Sequence, residues 1–297
     1  MVDPLSPRTV PSSPWSPAIS GGSAEDVPTK PQRPASGDSF VRGGYATGLD
    51  LSATPADLAE TGATAMSDAQ MLKLAETPAG ASALKGMAKT MQQGGSVSPE
   101  RQAQIDRIQN ATFTPSGGIK LEGSEADKQA YTRNVRKRMM ESPSFAKLMH
   151  ETNADKAHPV NLKLERGTGT KLDSFRRQTV DLDDLEKLPE KPSADRPEAI
   201  TQGAVLAHMM REQREKALDP NKENFDPAHK AAIESENAYR RDIGQQSMRK
   251  LPPEDETRVD TGFGSFISIH FDDGHDEALV FNDQGNLNGS ASYVPTF

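Results

Sequence analysis

The sequence predicts an α+β fold, mainly helical, built from the second half of the chain behind a disordered leader. Three observations lead there. Apolar residues are only 34% of the 297 positions and mean hydropathy is −0.71. Ordering each residue costs ~1–2 kcal/mol, so a chain this polar cannot bury a core along its whole length. Residues 1–50 hold eight of the 22 prolines among many Ser and Gly, with almost no apolar periodicity, which reads as a Pro/Ser-rich leader with Trp15 solvent-exposed. Beyond residue 126 the apolar spacing alternates between helical and strand periods.

The elements follow in order. Residues 51–125 form a weakly helical segment. Ser67 opens a helix with Met71, Leu72 and Leu74; Thr77-Pro78 opens a second, stopped at Gln92-Gln93-Gly94-Gly95; Ser98-Pro99 opens a third through Ile105 and Ile108. Thr112–Thr114 and Ile119–Leu121, joined by Pro115-Ser116-Gly117-Gly118, predict a small hairpin. Residues 126–297 form the main α+β domain. Asp127–Glu141 is a charged helix with Tyr131, Val135 and Met139 on one face, and Ser142-Pro143 caps the next. Val160–Glu165 and Arg177–Leu182 alternate like strands. A Pro-rich loop leads to the strongest helix, Glu198–Leu218; a break at Asp219-Pro220-Asn221 precedes another, from about Pro227 to Ile243. Phe266–Ile269, the turn Asp272-Asp273-Gly274 and Ala278–Phe281 make a hairpin.

Composition narrows the function classes. A formal charge of −8 argues against nucleic acid as a partner, because phosphate binding rests on clustered cations. The one basic cluster, Arg133, Arg136, Lys137 and Arg138, reads as a solvated helix face. No apolar run reaches the ~20 residues of a membrane span, and the first 30 residues lack the apolar segment of a secretory signal peptide. There is no cysteine, hence no disulfide, thiol nucleophile or Cys-ligated zinc. P-loop, GxGxxG and GxSxG patterns are absent, so the sequence markers of nucleotide hydrolysis, dinucleotide binding and nucleophile-elbow hydrolysis are missing.

The chemistry-bearing candidate is Leu206-Ala207-His208-Met209-Met210-Arg211-Glu212. His208 and Glu212 are i and i+4 and project from one helix face, the spacing by which a helix grips zinc. A following helix carries Glu236, Asn237, Arg240, Gly244 and Arg249 as a spaced series. Asp272–Asp276 is acid-rich without the spacing of a calcium loop and reads as a polar hairpin turn.

These two helices resemble, over about residues 142–250, the small zinc metallopeptidases injected into host cells by type III secretion, of the kind that cleave mitogen-activated protein kinases. There a helix like LAHELxH is followed by one like ENxxRxxxG and a later Arg. The resemblance implies a zincin-like domain in which His208, Glu212 and Glu236 are the metal ligands, zinc the cofactor, and Asn237, Arg240 and Arg249 binding residues. Met209 stands where that family carries its general base, and Glu212 where it carries its second His. A thioether takes no proton from water, so no catalytic residue is assigned. The amino terminus, Met-Val-Asp-Pro-Leu-Ser-Pro-Arg-Thr with its Ser/Pro-rich continuation, is similar to the openings of plant-pathogen effectors. The expectation is therefore a secreted virulence effector with a pseudoenzyme domain. It acts in the host cytoplasm, with the nucleus as the alternative, binds a host protein and is escorted by a secretion chaperone. Two other readings are an active atypical zinc metallopeptidase and a structural component of a secretion apparatus.

Overall fold

The computed structural model describes residues 66–93, 97–219, 225–261 and 263–294; the predicted leader, with Trp15, and the Pro220-Asn221 break lie outside them. The described residues form a mixed α+β fold of eight helices and two four-stranded sheets. All of them fall in one compact unit. Among them no helix is long and apolar enough to cross a membrane.

Helices α1 (Asp68–Ala75), α2 (Pro78–Gln92) and α3 (Pro99–Ala111) begin where their caps predict. The side chains of Ser67, Thr77 and Ser98 accept from the backbone N–H groups of Gln70, Gly80 and Arg101, satisfying donors that a helix start leaves open. Their apolar stripes close into a small cluster of their own around Leu84, Met87, Ile105 and Ile108, with Met140 packed against it.

Most of the remaining elements contribute to the larger apolar cluster. Strand β1 (Ile119–Glu122), helices α4 (Glu125–Glu141) and α5 (Pro143–Ala154) and strand β2 (Val160–Glu165) come first. Strands β3 (Asp173–Ser174) and β4 (Thr179–Asp181) and helix α6 (Leu182–Lys187) follow, then α7 (Gln202–Leu218), α8 (Phe225–Asp242) and β5 to β8 (Glu256–Thr261, Gly264–His270, Asp276–Asn282, Leu287–Tyr293). Tyr131, Val135 and Met139 of α4 are buried as their spacing predicts, and so are Val160, Leu162 and Leu164 of β2.

Three expectations are corrected. The 112–121 hairpin does not form. Arg136 Nε donates to the Phe113 carbonyl at 2.7 Å and Gly118 N–H to the Asn153 carbonyl at 3.0 Å, so side-chain and helix-end partners replace a facing strand. β1 instead pairs parallel with β2, in a sheet ordered β1-β2-β4-β3 whose one antiparallel pair is β3–β4. The strand expected at Arg177–Leu182 shrinks to β4, because Gln178 takes a left-handed φ of 55° and Asp181 serves as N-cap of α6. Finally, the basic cluster on α4 is a solvated face only in part: Arg133 is exposed and Lys137 half-buried, but the other two turn inward. Arg138 is fully buried and bonds Asn134, Glu141 and the Glu190 carbonyl, while Arg136 braces Phe113 and Ala75. The C-terminal hairpin is present as β6 and β7, extended by β5 and β8 into an antiparallel meander.

Helices α7 and α8 form the most extensive helix pair, and a glycine sets their separation. A Cβ on Gly203 would lie 1.9 Å from the Tyr239 hydroxyl, so only glycine lets α7 approach Tyr239, itself anchored through its hydroxyl to Glu141 at 3.1 Å. Gly203→Ala is expected to destabilise the fold by ~1–3 kcal/mol, the usual cost of overpacking a dense core; equilibrium urea unfolding measures it, and an unchanged midpoint would contradict this packing.

Candidate metal centre

Four chain segments converge on one cavity of about 420 Å³. Helix α7 supplies His208, Met209 and Glu212, and α8 supplies His229 and Glu236. The segment after α8 adds Arg249 and Glu256, and β3 adds Asp173. Ile200, Val205, Ile267, Ile269 and Leu279 give the same cavity an apolar side.

The imidazoles are held between carboxylates. His208 Nδ1 lies 3.1 Å from Glu236 Oε2 and Nε2 3.1 Å from Glu212 Oε1. His229 Nδ1 lies 2.8 Å from that same Glu212 oxygen, and Nε2 2.9 Å from Asp255 Oδ2. The two rings meet edge to face with centroids 4.9 Å apart. Arg249 closes the cluster, donating to Glu236, Asp255 and Glu256 at 3.3, 3.0 and 2.8 Å.

The Glu236–Arg249 series has a structural reason for each of its residues. Gly244 takes a left-handed φ of 84° where α8 stops, and Gln245 N–H returns to the Arg240 carbonyl at 2.9 Å, as in a glycine-terminated helix. Asn237 clamps the returning chain, exchanging two 2.8 Å hydrogen bonds with the backbone of Arg249. Arg240 donates to the Ser247 carbonyl at 2.9 Å and lies over the Phe271 ring at 4.4 Å. Asn237 and Arg240 thus do not line the cavity; they fold the segment that delivers the Arg249 side chain to it.

Of the expected site residues, His208, Glu212, Glu236 and Arg249 are brought together. Met209 lines the cavity beside them, so the helix position that would hold a general base presents sulfur. Sequence reasoning missed His229, Asp255, Glu256 and Asp173. His229 was findable, being i−7 from Glu236 and therefore on the same face of α8 two turns away. Asp255 and Asp173 lie on irregular or very short segments and carry no periodic signal. Asp173 follows Leu172, which takes a left-handed φ of 60°; among the described residues Leu172 and Gln178 are the two non-glycine cases, and they flank β3.

The donors fit a cation. His208, Glu212 and His229 each offer a ligand atom within 4.8 Å of the others, and so do His229, Asp255 and Glu256. Two imidazoles with a carboxylate suit zinc and its neighbours better than calcium or magnesium. No protein-family model, no curated protein and no solved structure matches this chain.

The electrostatics follow from the geometry. Burial disfavours a charged His208, but the Glu212 charge and the ring's hydrogen bonds to Glu212 and Glu236 outweigh it and raise the ring from 6.5 to about 9. Burial works against a charged Glu236 too, yet Arg249 and His208 bring it from 4.5 down to about 2. Asp173 goes the other way: burial and the nearby Glu212 charge raise it from 3.8 to about 7.

A raised His208 stabilises the fold fully below pH 6.5, and that contribution is lost as pH rises through about 9. A depressed Glu236 stabilises above pH 4.5, and that is lost as pH falls toward about 2. Asp173 adds a slow decline between about 4 and 7. The metal-free protein is expected to have its highest Tm near pH 4.5, where the Glu236 contribution is complete and the Asp173 decline has only begun, with His208→Gln flattening the limb above pH 6.5. A calorimetric pH series checks this; an alkaline limb unchanged in the variant would contradict it.

Proposed function

We propose that this chain is an injected bacterial effector of the metallopeptidase-like kind, acting by binding a host protein at the cavity between α7, α8 and β3. One observation carries the reading: the two sequence segments of the resemblance pack as neighbouring helices and bring His208, Glu212 and Glu236 to one cavity wall, where Met209 occupies the seat of the proton acceptor. A zincin-like arrangement of helices is thereby supported, with the general base of α7 gone. Loss of such a base lowers a hydrolytic rate ~10²–10⁴-fold. What remains is a cavity with an apolar side and a charged rim, suited to holding a polypeptide segment with an apolar side chain.

A second reading, an active atypical zinc metallopeptidase cleaving a host signalling protein, is favoured by Asp173. Its carboxylate lines the same cavity, and a proton affinity near neutrality suits a group that accepts and returns a proton.

The two readings separate in one experiment. Full-length protein is incubated with host-cell extract, and new peptide amino termini are quantified with and without chelator. The binding reading expects no chelator-sensitive cleavage. It also expects co-purification of a defined host protein that is lost in Lys171→Glu/Arg177→Glu, which reverses two cations lining the cavity, and retained in Lys89→Glu on α2. Chelator-sensitive cleavage abolished by Asp173→Asn would replace the first reading by the second.

A further inference from the structure

The resemblance assigns Glu236 as the third metal ligand, but the contacts around it assign it elsewhere. Glu236 Oε2 already has two partners, His208 Nδ1 at 3.1 Å and the Arg249 guanidinium, Nη1 at 3.3 Å. Asp255 and Glu256 are likewise held by Arg249 Nη2 at 3.0 and 2.8 Å. A guanidinium keeps its proton at any working pH, so an ion placed among Asp255, Glu256 and His229 would sit against a fixed positive charge. Glu212 differs: among the described residues no arginine or lysine bonds it, and its hydrogen-bond partners are the two imidazoles.

Each histidine is two-sided in the same way. His208 turns Nδ1 to Glu236 and Nε2 to Glu212; His229 turns Nε2 to Asp255 and Nδ1 to Glu212. An imidazole whose far nitrogen is held by a carboxylate is the usual arrangement around a protein-bound metal, where that acid fixes the ring and strengthens it as a donor. Here it occurs twice, and both near nitrogens point at one oxygen.

We propose that His208 Nε2, Glu212 Oε1 and His229 Nδ1 bind one divalent transition-metal ion of the zinc class, with Glu236 and Asp255 as positioning residues that hold the two rings. The ligand set is thus displaced from the one the resemblance implies: His229 enters and Glu236 leaves.

The space needed is small. Tetrahedral ligands at zinc distances lie about 3.4 Å apart, against 3.1 and 2.8 Å from Glu212 Oε1 to the two nitrogens.

The inference deepens the reading above by naming the ion of its site. Its test uses the purified chain alone, so loss of host-protein recognition and loss of metal binding are separate results. Titration with Zn²⁺ followed by calorimetry should give one ion per chain. His208→Ala and His229→Ala should each abolish stoichiometric binding, whereas Glu236→Gln should keep one ion with affinity ~10–100-fold weaker, as for other positioning acids around metals. In the unmutated protein loaded with Co²⁺, paramagnetic shifts should reach the ring protons of both His208 and His229. That readout needs no variant to fold. An unloaded wild type, a His229→Ala protein that binds zinc as wild type does, or shifted His208 protons with unshifted His229 protons would each overturn the assignment.

Discussion

One carboxylate oxygen, Oε1 of Glu212, lies between two imidazole rings on neighbouring helices, and much of the domain is arranged so that it can. Glu212 is almost wholly buried. An isolated charge at that depth is strongly disfavoured, and removing one partner from such a cluster costs far more than its net stabilising effect. The charges must therefore be assembled together. α7 carries Glu212 and His208, α8 carries His229 and Glu236, and the return loop carries Arg249 and Asp255. Displacing any one of these segments leaves a buried charge without its partner.

That requirement explains features remote from the cavity. Gly203 permits the close passage of α7 beside Tyr239, which sets how far His208 stands from Glu236. Ser142 at the start of α5 donates to Asp242 at 2.6 Å, fixing the end of α8. The Asn237 clamp, the Arg240 brace and the Gly244 stop then turn the chain back, so that the Arg249 guanidinium faces three acids. A motif that reads as ligand-binding when laid out in sequence proves to be largely a device for reversing the chain, with Glu236 and Arg249 as its chemical yield.

The cavity couples this ionic wall to an apolar one. β6 and β7 present Ile267, Ile269 and Leu279, while α7 presents Val205 and Met209. The first sheet contributes its edge strand, β3, whose flanking residues Leu172 and Gln178 hold left-handed backbone conformations that side chains disfavour. A small fold can accept such local strain where the surrounding contacts over-determine it, here through the Asp184 carboxylate, which accepts from the Leu172 and Leu287 amides.

The sequence by itself determined the local pieces of this protein. Serine and threonine caps placed helix starts at α1, α2, α3 and α5, because a capping hydroxyl needs only its own next turn. The four-residue spacing of Tyr131, Val135 and Met139 identified the buried face of α4, and alternation identified that of β2. The i, i+4 pair on α7 named two of the three ligands proposed for the ion for the same reason, since one helix turn fixes both side chains. What only the tertiary structure decided were the relations between segments distant in the chain. Parallel pairing of β1 with β2 replaced a local hairpin. Arg136 became a half-buried brace and Arg138 a buried one, because distant carbonyls were there to receive them. Glu236 became a holder of His208, and His229, on the same face of α8, came to face Glu212. Long-range pairing and charge compensation depend on which surfaces meet, and no spacing along a single element encodes that.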